Sequence, residues 1–482
     1  MTITQAEGNL LDQPMWEVFE RHGKINYTRP MIGSESYQLS WHNFGDGMGD
    51  VTLGLTFTTS LEVSVFAETL KHALCYVRFI SPLLASTAEK GVHDPQLWSW
   101  VYTPASDAAE VEQWATDTLE VVEGPDPDQF VNSKLANRLP YTRSNGLVQY
   151  WKLFLLKTEG DQLGLFIHGI HAVFDAHPNF NLFQILFEEV ACPDPTHQVN
   201  SLPWGEEWKS LAPGIISATG GPRPGWDTEG MELVRFFKEQ LTSSVVRFIS
   251  PSFPVFVIAD RLVALQPTHA LRSARPKITD MSKVIRIVEV VDRETSRRII
   301  QGTKRNENSL TQLFEAAAVL ATFTLNPDFV GPAEEAHVTL DVSFISLMKY
   351  LVPPYDQKSY IAGCSALVPL KIPYSSFMHE ENPLKQICRI MDCVRAQYSR
   401  YLSNPHLPHL TARLSTLMPL MTSPELTWSN QCATIMTNIG VIERLMRFKY
   451  YSGDPGRDPE VKPAITVDNL HFGHRVAHGL RL

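Results

Sequence analysis

The stretch YWKLFLLKTEGDQLGLFIHGIHAVFDAHPNF, residues 150–180, decides the fold. Two apolar runs flank the polar TEGD, which is the pattern of a β-hairpin. On a period of two, Leu165, Ile167, Gly169 and His171 share one face of the second strand, and Phe166, His168 and Ile170 the other. After HAVFDAH (171–177), Pro178 suits the first turn of a helix, and Phe180, Phe183, Phe187 and Val190 give that helix one apolar face. His171 therefore stands where a strand turns into a helix, a place from which an imidazole projects into a cleft. Histidine titrates near neutrality, so it can take a proton from an alcohol attacking a carbonyl. Asp175, four residues on across the turn, can brace the loop or orient the ring.

Two other readings of these residues stand beside catalysis. His168, His171, Asp175 and His177 could hold a metal, but His168 and His171 fall on opposite strand faces, whereas a tetrahedral site needs them convergent. The plainer alternative is a core histidine hydrogen-bonded within the hairpin.

Working outward, GDVTLGLTFTTSLEVSVFAETLKHALCYV (49–77) reads as a strand and a helix, with Ser60 the candidate N-cap and Phe66, Leu70, Ala73, Leu74 and Val77 inward. SWVYTP (99–104) has strand composition. Residues 193–230 are rich in Pro and Gly and read as a connector. The strand-then-helix theme then restarts. VIRIVEVV (284–291) is expected to be a strand, Asp292 a cap, and residues 293–303 a helix. Ser309 and Gln312 form a capping-box pattern ahead of LTQLFEAAAVLATF (310–323). HVTLDVSFISL (337–347) alternates as a strand does, and Asn382-Pro383 opens a helix to about 402. QCATIMTNIGVI (431–442) reads as another strand. The expected division is an N-terminal lobe over 1–215, a connector over 216–280 and a C-terminal lobe over 281–482.

Composition narrows the class. The 482 residues are 44% hydrophobic and carry a formal net charge of -10, with a pI near 5.9. No long basic run appears, so nucleic acid is not an expected partner. Cys75, Cys192, Cys364, Cys388, Cys393 and Cys432 form no CxxC pair and are expected as free thiols in a reducing compartment. The N-terminus lacks the apolar core of a signal peptide. The apolar run at 244–265 contains Arg247, Pro251, Pro254, Asp260 and Arg261, which argues against a membrane span. A cytoplasmic enzyme is the expectation. Other candidate motifs carry less. His471, His474 and His478 lack cysteine partners and alternate irregularly, so no metal is expected there. GDGMGD (45–50) precedes a strand rather than a helix and makes no phosphate cradle. No GxSxG elbow is present.

HAVFDA (171–176), placed between a hairpin and an amphipathic helix, resembles the HHxxxDG signature of the condensation-domain and chloramphenicol-acetyltransferase-like acyltransferase superfamily. ENSLTQLFEAAAVLATF (307–323), VTLDVSFISLMKYLVP (338–353) and TNIGVI (437–442) are similar to later segments of that superfamily, in the same order. Within it the chain resembles fungal secondary-metabolite O-acetyltransferases. The resemblance implies an α/β fold of two similar lobes forming a pseudo-dimer, with a tunnel between them. It implies an acyl-CoA donor, a small hydrophobic alcohol acceptor, no bound cofactor and a monomer. His171 would be the general base, Asp175 structural and Asn438 a supporting residue near the crevice. Carrier-protein-dependent condensation, or a member that binds a polyketide without using the histidine, are the alternatives. The chain departs from the signature in three ways: Ile170 replaces its first His, Ala176 its Gly, and 341–347 lacks the arginine that commonly partners the aspartate. It also ends soon after HFGHRVAHGL, where members of the superfamily commonly continue into further strands, and a shortened C-terminus is expected either to open the crevice or to weaken activity.

Overall fold

A computed structural model describes residues 15–241 apart from 93–96, 125 and 159. It also describes 269, 271–272, and 286–481 apart from 330, 414–430, 433, 454–460 and 476–479. His478, the apolar run from 244 onward, most of 242–285 and the extreme N-terminus lie outside the described residues.

The hairpin read from residues 150–171 forms the middle of a six-stranded sheet. Its strands are β3 (Val51–Thr59), β6 (Leu119–Glu123), β7 (Trp151–Lys157), β8 (Gln162–Gly169), β11 (Lys449–Tyr451) and β12 (Pro463–His474), in the order β11-β12-β3-β8-β7-β6. All neighbours are antiparallel except β6 and β7. A smaller sheet joins β1 (Glu17–Arg21), β2 (Lys24–Pro30), β4 (Thr87–Lys90) and β5 (Trp98–Tyr102). A third pairs β9 (His337–Ser346) with β10 (Ser365–Pro373).

The period of two sorts the large sheet's side chains onto two covered faces. Leu53, Leu55, Phe57, Leu153, Leu155, Leu165 and Ile167 enter the main core beneath α2 (Val63–Ile80) and α5 (Ala176–Ala191). Phe154, Leu156 and Phe166 face the other way, against Phe130, Val131 and Leu135 of α4 (Pro127–Ala136). Phe66, Leu70, Leu74 and Val77 of α2 are fully buried, each worth roughly 1.5–3 kcal/mol of apolar transfer. This helix starts at Val63 after Glu62, not directly after Ser60, so the hydroxyl signal pointed two residues too early.

Beyond residue 280 the helical signals hold. Asp292 caps Arg293–Arg305, Ser309 and Gln312 complete a capping box on α8 (Leu310–Leu325), and Asn382 with Pro383 opens α9 (Pro383–Ser403); with Ala108–Thr118 as α3, Met231–Leu241 as α6 and Arg293–Arg305 as α7, these complete the longer helices after α1 (Ser34–Phe44). The expected strand at 284–291 is a correction: residues 286–291 have no regular structure, and Ile287 and Val290 are 81% and 87% exposed. Strand composition there is not matched by a neighbouring strand among the described residues. The strand expected over 431–442 is two short pieces, Gln431–Cys432 and Thr434–Ile435, followed by irregular chain. The stretch read as a connector over 193–230 holds short helical turns, among them Pro195–His197, Glu207–Ser210 and Ile215–Ala218, and it is anchored, since the buried Glu207 carboxylate accepts from Tyr102 Oη and the backbone N–H groups of Ala105 and Gly205. Among the described residues no helix is long and apolar enough to cross a membrane.

Candidate active site

Strand β8 stops at Gly169, and His171 lies in the turn that follows, closed by Val173 and Phe174 N–H groups on the Ile170 carbonyl. Gly169 is what lets the turn fold back: a Cβ there would lie 2.4 Å from the Phe174 ring and 3.0 Å from Trp151 Cβ. Phe174, 1% exposed, packs on Trp151, and this contact fixes the turn that carries His171.

The imidazole is 9% exposed and enclosed on three sides. Its Nδ1 lies 3.0 Å from Asp175 Oδ1, but the oxygen is off the N–H direction, so the contact is electrostatic rather than a linear hydrogen bond. Phe344 of β9 lies parallel to the ring at 5.7 Å, and His474 at the end of β12 stands perpendicular to it at 5.1 Å. Nδ1 thus lies beside Asp175, and Nε2 is the ring nitrogen turned away from that carboxylate.

Asp175 does not cap its own helix with its side chain. Its second oxygen instead accepts the backbone N–H of Cys364, 2.5 Å away. The resemblance called for an arginine on 341–347; here the main-chain amide of Cys364 partners Asp175. Gly363 allows the approach, because a Cβ there would meet the Ala172 carbonyl oxygen at 3.1 Å. Ala176 opens α5 without a left-handed backbone, so the glycine of the signature is not needed for this turn.

The metal reading loses its ligands to separate partners. His168 turns to the other sheet face and shares a 2.6 Å hydrogen bond with Tyr141 Oη; burial drives its pKa down to about 3. His177 pairs with Ser346 of β9 at 2.8 Å, and burial lowers its pKa as well. Among the described residues no three His, Cys, Asp or Glu side chains group as a metal ion would require.

Asn438 is exposed; its amide donates to Thr311 Oγ1 on the first turn of α8 and its carbonyl accepts from Gly440, both at 2.8 Å. None of these bonds reaches His171. The sequence reading missed Phe344 and Cys364, and considered His474 only as a metal ligand. The alternation of β9 carried the signal for Phe344, because Phe344 and Ser346 share the face that meets His171 and His177, while Ser343 faces α8. Cys364 acts through its backbone, which no side-chain pattern reveals.

Comparison with solved structures identifies the fold. The trichothecene 15-O-acetyltransferase of Fusarium sporotrichioides superposes with a TM-score of 0.73 at 15% identity, covering 98% of this chain and 90% of that one. The condensation domain of the monacolin K polyketide synthase MokA gives 0.52 at 11% identity, covering 95% and 87%. This is the chloramphenicol-acetyltransferase-like, condensation-domain fold. Among curated sequences the O-acetyltransferase pigM of Monascus ruber is 22% identical over 368 residues, 76% of this chain. The match spans 61% of that relative's length. No protein-family profile matches the sequence. In this fold His171 and Asp175 occupy the turn after a central strand, between the large sheet and β9.

Proposed function

We propose that the chain is an acyl-CoA-dependent O-acyltransferase, moving an acyl group, acetyl first among them, onto a hydroxyl of a terpenoid or polyketide secondary metabolite. The observation that carries this reading is His171, with Nδ1 held against a doubly engaged Asp175, in a fold shared with a trichothecene 15-O-acetyltransferase. His171 Nε2 takes the hydroxyl proton as the oxygen attacks the thioester carbonyl. The tetrahedral intermediate then collapses to the ester, and the thiolate leaves and recovers the proton. Asp175 positions the turn and does not react. Asn438 is a supporting residue with an exposed amide. Both substrates meet between lobes 1–215 and 281–482, in a cytoplasmic monomer without a bound cofactor, and their joint orientation supplies much of the rate.

The test is thiol release from acetyl-CoA in the presence of a panel of fungal alcohols, with mass spectrometry of the products. Acetylated alcohol is expected, and His171→Ala should lower turnover by a factor on the order of 100–10,000 while the fold survives. Transfer that runs only from a carrier-protein thioester, or a His171→Ala variant with more than half of wild-type turnover, overturns the reading.

A further inference from the structure

The His171 ring needs a restraint that Asp175 does not provide. A carboxylate off the N–H axis attracts the imidazole but leaves its rotation about the Cβ–Cγ bond loosely defined. Two other rings bound that rotation. Phe344 lies 5° from parallel with His171, and His474 stands at 82° to it. A parallel ring and a perpendicular one leave a single comfortable ring plane, since each contact degrades as the imidazole turns out of it, and the Asp175 carboxylate beside Nδ1 favours one of the two flips within that plane.

Both rings come from strands of the second half of the chain, and each is fixed independently of His171. The β12 register sets His474 opposite Val51, whose other neighbour is Gly169, two residues before His171. His474 is 8% exposed and also packs on Phe472 at 4.7 Å. Phe344 is held by the β9–β10 pairing, opposite Leu367. Its neighbours Ser343 and Ser346 are tied to Glu315 Oε1 and His177 Nδ1, at 2.9 and 2.8 Å.

We infer that Phe344 and His474 are positioning residues that clamp the His171 imidazole in one plane, so that strands from the second half of the chain aim a base carried by the first. The kinetic part of this inference rests on the acyltransfer reading; the spectroscopic part does not.

Two measurements test it on the full chain. The first is 15N NMR of histidine-labelled protein, with His171 assigned by its loss in His171→Ala. Its ring signals should be sharp in the wild type, should broaden or move in Phe344→Ala and His474→Ala, and should return in His474→Phe, which keeps an aromatic ring. The second is steady-state kinetics. Each alanine variant should lose on the order of ten- to a hundred-fold in kcat through misalignment, with KM for both substrates within about three-fold of wild type. His474→Phe should recover most of kcat. Unchanged His171 signals in both alanine variants overturn the clamp, as do losses confined to KM. A His474→Phe variant as impaired as His474→Ala also overturns it, because the nitrogens rather than the ring shape would then matter. A wild-type protein without acyl transfer sinks the proposed function alone, and the NMR still decides the clamp.

Discussion

Asp175 Oδ2 and the Cys364 backbone N–H, 2.5 Å apart, join the turn after β8 to the residue that leads into β10. A buried carboxylate on a main-chain donor is a charge-assisted bond, and it serves here as a brace between two parts of the chain distant in sequence. Asp175→Asn keeps an acceptor but loses the charge, so unfolding free energy should fall by about 1–2 kcal/mol together with turnover. Denaturant melts and initial rates on the same preparation check this. A fall in rate with an unchanged melt would give Asp175 a chemical role instead.

The His177–Ser346 bond, at 2.8 Å, is a second tie between α5 and β9. Burial lowers the His177 pKa, which keeps the ring neutral near pH 7 and dependent on its hydroxyl partner. Ser346→Ala should cost about 1 kcal/mol of stability by leaving Nδ1 without that partner. The kcat of the variant should stay within a few-fold of wild type, because Ser346 bonds to His177 while Phe344 is the β9 residue set against the His171 ring. A loss of rate comparable to that of His171→Ala would move His177 into the chemistry.

How much of this was legible in the sequence differs element by element. Hairpin, turn and helix at 150–191 were readable because period two, TEGD and Pro178 are local signals that tertiary contacts reinforce. Capping residues gave the starts of α7, α8 and α9 for the same reason. The segment 286–291 failed because β-branched composition records suitability for a sheet, while a strand also needs an edge to pair with. HAVFDA pointed to His171 and Asp175 as the candidate pair. Their surroundings were not legible there, since Phe344, Cys364 and His474 lie about 170–300 residues away and are brought in by strand register. Even the partner of Asp175 was sought as an arginine side chain, and the fold supplied a peptide N–H.

Glu315 on α8 gives a prediction about pH. Its carboxyl is completely buried and takes bonds from Ser343 Oγ and Tyr398 Oη, at 2.9 and 2.7 Å. Burial raises its pKa from 4.5 to about 7, against the lowering effect of those two hydroxyls. The folded chain therefore keeps a proton that the unfolded chain releases between these values. The stabilisation is complete below pH 4.5 and is lost as pH rises to about 7, by about 3 kcal/mol in all. Glu315→Gln has nothing to ionise, so its stability should be flatter than wild type across pH 5–8 and higher at pH 8. Urea melts at one-unit steps check the slope, and parallel curves for the two proteins would falsify the assignment.

The order of chemistry follows from what surrounds His171. A covalent route to an acyl-enzyme most often uses a Ser, Cys or Lys nucleophile held against a base. Among the described residues, Cys364 is the cysteine tied to this site, its backbone binding Asp175. Its thiol is 3% exposed, and burial together with the Asp175 charge pushes its pKa far up, so it stays protonated and poorly nucleophilic. Asp175, Phe344 and His474 are set against the His171 ring, and none of the three is a Ser, Cys or Lys. Direct transfer within a ternary complex is the expectation. Double-reciprocal plots at varied acyl-CoA and varied alcohol should intersect, and Cys364→Ala should keep most of its turnover provided the Asp175 bond to the backbone persists. Parallel plots, or an acetylated protein detected by mass spectrometry after exposure to acetyl-CoA alone, would establish a two-step route and remove His171 from the role of direct base.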